Sequence, residues 1–150
     1  MKKKVFTLLL CLLTAVTASA NVAYDEVCFA GHSLALLGTN WTKDLSDWSS
    51  GNDHLSGTAQ WDYATKTLTL TDVMINRVNF GFFASEKVCM WIETMQEVNV
   101  AIKGDCQLWS QKGTPLQLYG DVALTGNGTL SLVGSDADIE FKAKRQDADR

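Results

Sequence analysis

Four aromatic residues, Trp41, Trp48, Trp61 and Tyr63, fall among amides and carboxylates in a pattern suited to gripping a sugar ring. An exposed indole or phenol stacks on the apolar face of a pyranose, and neighbouring polar side chains bond its hydroxyls. Trp61 and Tyr63 stand at i and i+2 with Asp62 between them, so a strand would put both rings on one face. Trp41 and Trp48 lie in a polar run with Asn40, Asp44, Asn52 and Asp53. These four are the candidate ligand-binding residues, and the partner they imply is a polysaccharide or other glycan. The competing reading for each is burial, since tryptophan is mostly buried on average. Trp91 and Trp109 lie within apolar strands and are weaker candidates.

Other chemistry is thin. Glycoside cleavage needs two carboxyl groups facing one substrate, and lyase chemistry needs a base with a neutralising Arg, Lys or metal. Asp62, Asp72, Glu86, Glu93 and Glu97 are scattered, and Arg77 is the sole arginine before the C-terminal run. The expectation is a non-enzyme. Cys28, Cys89 and Cys106 have no C-x-x-C or Cys/His spacing that would mark zinc or redox work, and neither His32 nor His54 has a context that marks it as a base. Cys106 falls in phase with the inward Ile102 and Leu108, which makes it a small buried hydrophobe; a Cys89 to Cys106 bridge is the alternative. Asp136 and Asp138 lack the Gly and distant Glu of a calcium loop. No metal and no cofactor are expected.

The start of the chain reads as an export signal. Lys2, Lys3 and Lys4 precede an apolar stretch from Val5 to Val16, too short to span a bilayer, and Ala18-Ser19-Ala20 is an A-x-A cleavage site. Cleavage before Asn21 leaves 10 basic against 17 acidic residues, a net of −7. A chain so acidic does not recruit nucleic acid or anionic lipid. The remaining 130 residues suit one domain, with no second hydrophobic span and hence no membrane crossing. The expected location is secreted, periplasmic or cell-surface.

The elements that must position these residues are short strands. Residues 21–56 read as an N-terminal cap of hairpin and loop: a strand at Val27-Cys28-Phe29, a Gly31-His32 turn, then a polar loop. From Gly57 to Gly134 apolar dyads recur at Leu68/Leu70, Val73/Ile75, Val98/Val100/Ile102, Cys106/Leu108, Leu116/Leu118, Val122/Leu124 and Leu130/Leu132. Alternation with period two means strands with one buried face. Residues 135–150 mix acids and bases and read as a frayed polar tail, of a chain that could be part of something longer. Two architectures fit the dyads. Asn127-Gly128 between two alternating runs is a hairpin signal that favours an antiparallel β-sandwich. The same Gly-Asn-Gly corner can also turn a strand within a β-solenoid, although intervals of 31 residues from Thr67 to Val98 and 24 from Val98 to Val122 are uneven.

Residues 61–73, Trp-Asp-Tyr-Ala-Thr-Lys-Thr-Leu-Thr-Leu-Thr-Asp-Val, resemble the strand-opening motif of exported Bacteroidetes-type proteins that carry a right-handed β-helix, carbohydrate-binding-like domain. Val98 to Asp105 resembles that family's second coil, Leu124 to Leu132 its Gly-Asx-Gly-Thr-Leu coil, and Val27 to Leu34 its N-terminal strand pair. The resemblance spans about residues 24–134 and implies an all-β fold, a short right-handed parallel β-helix (β-solenoid) over 57–134. It also implies a bacterial source and a non-catalytic glycan-binding module. The alternative function is a structural or adhesive surface module that contacts another protein. Exposed, coplanar rings at Trp41, Trp48, Trp61 and Tyr63 would favour glycan; buried rings with a bare apolar patch elsewhere would favour protein.

Overall fold

The computed structural model describes residues 25–51, 53–78, 88–135 and 139–142. The export signal lies outside the described residues, as do Asn52, Glu86, Asp136 and Asp138. Among the described residues, leucine, valine and isoleucine alternating with threonine, asparagine and glutamine form twelve strands. They are β1 (Glu26–Phe29), β2 (His32–Ala35), β3 (Trp41–Asp44), β4 (Asp53–Asp62), β5 (Thr67–Arg77) and β6 (Met90–Glu93). Then follow β7 (Val98–Lys103), β8 (Asp105–Ser110), β9 (Leu116–Tyr119), β10 (Val122–Gly126), β11 (Thr129–Val133) and β12 (Ile139–Lys142).

The strands collect in two mixed sheets. One has the order β12-β9-β6-β1-β2, the other β10-β7-β5-β4-β3, with β8 and β11 continuing from the second half of β5. This overturns the expected parallel β-helix over 57–134. β4 runs antiparallel along nearly the whole of β5, β3 runs antiparallel to β4, and β1 runs antiparallel to both β2 and β6. The arrangement is all-β and sandwich-like, and its directions are mixed. Parallel ladders join β5 to β7 and β8, β7 to β10, β8 to β11, and β6 to β9 to β12. The Asn127-Gly128 pair closes no hairpin, because β10 and β11 each pair with an earlier strand instead of with each other.

The physical reason lies in one turn. The Asp62 carboxylate accepts the Ala64 N–H at 3.0 Å, Lys66 N–H reaches back to the Tyr63 carbonyl at 3.3 Å, and Lys66 sits at φ 53°. That reversal folds β5 back on β4. The run from Trp61 is therefore the end of one strand and the start of its antiparallel neighbour.

Residues from both sheets build one core. Leu68, Leu70, Val100 and Ile102 point into it as expected, with Val73, Ile75, Cys106, Leu108, Leu116 and Leu118. Leu130 and Leu132 pack against its margin, and Leu124, in register with buried Val100 and so on the inward face as expected, is 39% exposed because β10 is the outermost described strand of its sheet. Ile139–Lys142, inside the run read as a frayed tail, pairs with β9 as β12.

β5 changes phase midway. Leu68 and Leu70 face inward, and after Asp72 (φ 49°) so do Val73, Ile75 and Arg77. Asp72 is thus a corner: the first half of β5 pairs with β7 and the second half with β8.

Candidate functional site

The four candidate rings do not gather on one open face. Trp61 is 0% exposed, and its indole N–H donates to the Leu37 carbonyl at 3.1 Å. Trp41, its register partner on β3, packs half-buried against the core and donates its indole N–H to the Ala35 carbonyl at 2.8 Å. Trp48 closes a short 3-10 turn (Leu45–Trp48) capped by Asp44, whose carboxylate accepts the Ser46 N–H at 3.0 Å. Its ring stacks on His32 at 4.6 Å between centroids and 5° between planes, with Lys43 Nζ 4.7 Å from the indole centroid. Tyr63 is exposed in the β4-β5 turn, with Lys66 Nζ over its ring. One ring is sealed, two are anchored through their own hydrogen bond or stack, and one is covered by a cation. They do not make a coplanar platform.

Exposed apolar side chains cluster elsewhere, around a ring as exposed as Tyr63. Trp109 on β8 projects outward and is 38% exposed; Val133, opposite it on β11, is 46% exposed; Met74 on β5 is 48% exposed. Asn76, Trp109 and Val133 form one row across three parallel strands, and Met74, Gln107 and Ser131 form the next. At 4.7–4.9 Å between strands, such rows make one contiguous surface. None of these six side chains carries a charge. Asp72 and Asp105 border the patch at the corner, where the Asp105 carboxylate accepts a hydrogen bond from the Thr129 hydroxyl at 2.7 Å.

A different aromatic pair marks the other sheet. Trp91 on β6 meets Tyr119 on β9 edge to face at 6.4 Å, beside Gln117, whose side-chain oxygen accepts the Tyr119 hydroxyl at 3.1 Å. Trp91 is half-buried, so this pair presents less bare ring than Trp109. Glu26 and Glu93 are register partners on the same sheet. Desolvation and then the Glu93 charge push the Glu26 carboxyl above its usual range, against a hydrogen bond from Ser33 that lowers it.

Among the described residues the thiols of Cys28, Cys89 and Cys106 are free and buried, so Cys89 and Cys106 form no bridge. Burial pushes Cys89 up to about 12, against the pull of Arg77, and raises Cys28 and Cys106 as well. Each is protonated at neutral pH and a poor nucleophile. Arg77 is itself buried: it donates to the Val88 carbonyl at 2.7 Å and lies 3.6 Å from the Asp53 carboxylate, its register partner on β4. It serves the interior here, away from solvent. Among the described residues no group of three His, Cys, Asp or Glu gathers to hold a metal, and no helix is long and apolar enough to cross a membrane.

Compared with known protein families, with curated proteins and with solved structures, the chain matches none.

Proposed function

We propose that this chain is a non-catalytic structural or adhesive module, exported to the periplasm or cell surface, that docks onto another protein through the outer face of β5, β8 and β11. The observation that carries this reading is the uncharged patch of Met74, Trp109 and Val133 on an otherwise acidic chain, while Trp61 is sealed in the core. Clustered exposed apolar side chains on one sheet face mark contact surfaces. Trp and Met are enriched at protein interfaces, and an indole on a rigid strand orders little on binding. This reading takes the place of glycan held by Trp41, Trp48, Trp61 and Tyr63, since those rings share no open face.

The test is biolayer interferometry of the immobilised protein against the extracellular protein fraction of its own source, with that fraction intact, protease-treated or periodate-oxidised. Protease should abolish binding and periodate should leave it, and Trp109→Lys should weaken it by at least about tenfold, the loss of one interface anchor. Binding that survives protease, disappears with periodate and ignores Trp109→Lys would return the assignment to glycan.

A further inference from the structure

Beyond that contact face, we infer that strand β11 is a self-pairing edge: two copies of this chain associate through β11 laid antiparallel on its equivalent, with Ser131 on the two-fold axis. Among the described residues β11 pairs on one side only, with β8, so its other edge offers unpaired backbone N–H and C=O groups. Free-standing edges are normally guarded by Lys, Pro or a bulge. Here residues 122–135, which contain both β10 and β11, hold no charged residue and no proline. The inward side chains of the strand, Leu130 and Leu132, are only half-buried, and Leu124 on the neighbouring edge is more exposed still. These edges are left for something apolar and uncharged to cover.

The pattern of β11 itself says what covers it. Thr129-Leu130-Ser131-Leu132-Val133 is symmetric in shape about its centre, with a β-branched residue at each end, a leucine on each flank and a small serine in the middle. Its exposure alternates with the same symmetry, outward at 129, 131 and 133 and inward at 130 and 132. A two-fold through Ser131 therefore sets Ser131 opposite Ser131 of the partner subunit and Thr129 opposite the partner subunit's Val133. It also sets Leu130 opposite the partner subunit's Leu132. Both leucine pairs then fall on the core side, where they extend one apolar cluster across the seam. Two molecules of the same negative charge repel over most of their surface, so a neutral strip is where they can meet. A second copy presents that strip by construction.

Light scattering of the full mature chain, with Ser131→Cys as a cross-linking probe, tests this. The wild type should show twice the monomer mass, and Leu132→Lys should halve that mass with its far-UV spectrum unchanged. Under mild oxidation Ser131→Cys should give a disulfide-linked dimer, since residues facing each other across a pair sit about 4.5–5.5 Å apart, within disulfide reach. Gln107→Cys, one strand further from the seam, should not link. Met74→Lys should leave the dimer intact while weakening the contact described above, so the two readings fail separately. A wild type that stays monomeric at about 100 μM, far above the Kd of a specific dimer, overturns the inference. So does Ser131→Cys linking no faster than Gln107→Cys, or mass gained only when a different protein is added. If Leu132→Lys misfolds, the cysteine pair of experiments decides.

Discussion

Trp109 on β8 and Val133 on β11 are register partners in a parallel ladder, and both side chains stand on the solvent side of the sheet. Side chains in register on neighbouring strands project from the same face about 4.7–4.9 Å apart, so the two belong to one area. Trp61, by contrast, spends its ring on the core and its N–H on the Leu37 carbonyl. The same residue type thus supports the fold at position 61 and is available for contact at position 109.

The two tryptophans should separate in a stability measurement. Trp61→Ala should cost about 3–5 kcal/mol, as for other large-to-small core truncations. Trp109→Ala should stay within about 0.5 kcal/mol, as for surface positions. Urea denaturation followed by far-UV circular dichroism reads both. Equal losses would mean that Trp109 is a packing residue and the patch is not free surface.

At the corner between β7 and β8, Gly104 adopts φ 68°, and a Cβ placed there would overlap the Asp72 carboxylate, which accepts the Asp105 N–H at 3.0 Å. Gly104→Ala should lower the urea midpoint by an amount equivalent to about 1–3 kcal/mol, the cost of a strained backbone position. Asp72→Ala alone should also destabilise, since the Asp105 N–H loses its acceptor, but its cost and that of Gly104→Ala should be less than additive because the overlapping oxygen is gone. A Gly104→Ala protein as stable as the wild type would show that the corner is looser than described.

Cys89, held protonated by burial, should resist iodoacetamide at pH 8 in the native state and react only as fast as the protein unfolds. Its folded pKa of about 12 exceeds the ordinary 9.0, so the unfolded chain releases this proton first as pH rises. The contribution to stability is complete below pH 9.0 and is lost as pH climbs from there towards about 12. Cys89→Ala should flatten that alkaline decline in thermal midpoint. Rapid native-state alkylation of Cys89 at pH 8 would contradict the burial.

Much of the inward phase was legible because a two-residue period needs no knowledge of partners: Leu68, Leu70, Val100 and Ile102 are buried as their alternation demands. Pairing direction was not legible. It turns on the Tyr63 to Lys66 reversal, and a polar turn followed by alternation reads the same whether the strand before it runs beside the new one or leads away. The four candidate rings share polar surroundings along the chain, yet register places Trp61 opposite Trp41 on the core side of the ladder. Trp109 did carry a usable signal: once Cys106 and Leu108 face inward, residue 109 must face outward. That Met74 and Val133 join it could not be read, since it depends on the phase change at Asp72 and on β8 lying between β5 and β11.

The most direct test of the contact face is site-specific photo-cross-linking in the native setting, with p-benzoylphenylalanine at position 109 and, as a comparison, at position 63. The expected result is a discrete protein adduct from position 109 that mass spectrometry resolves to one partner surface and that the Met74→Lys change removes, with no such adduct from position 63. Adducts from position 63 alone, or a position 109 probe that captures no protein while the chain still binds its target, would contradict the assignment of the Met74, Trp109 and Val133 face.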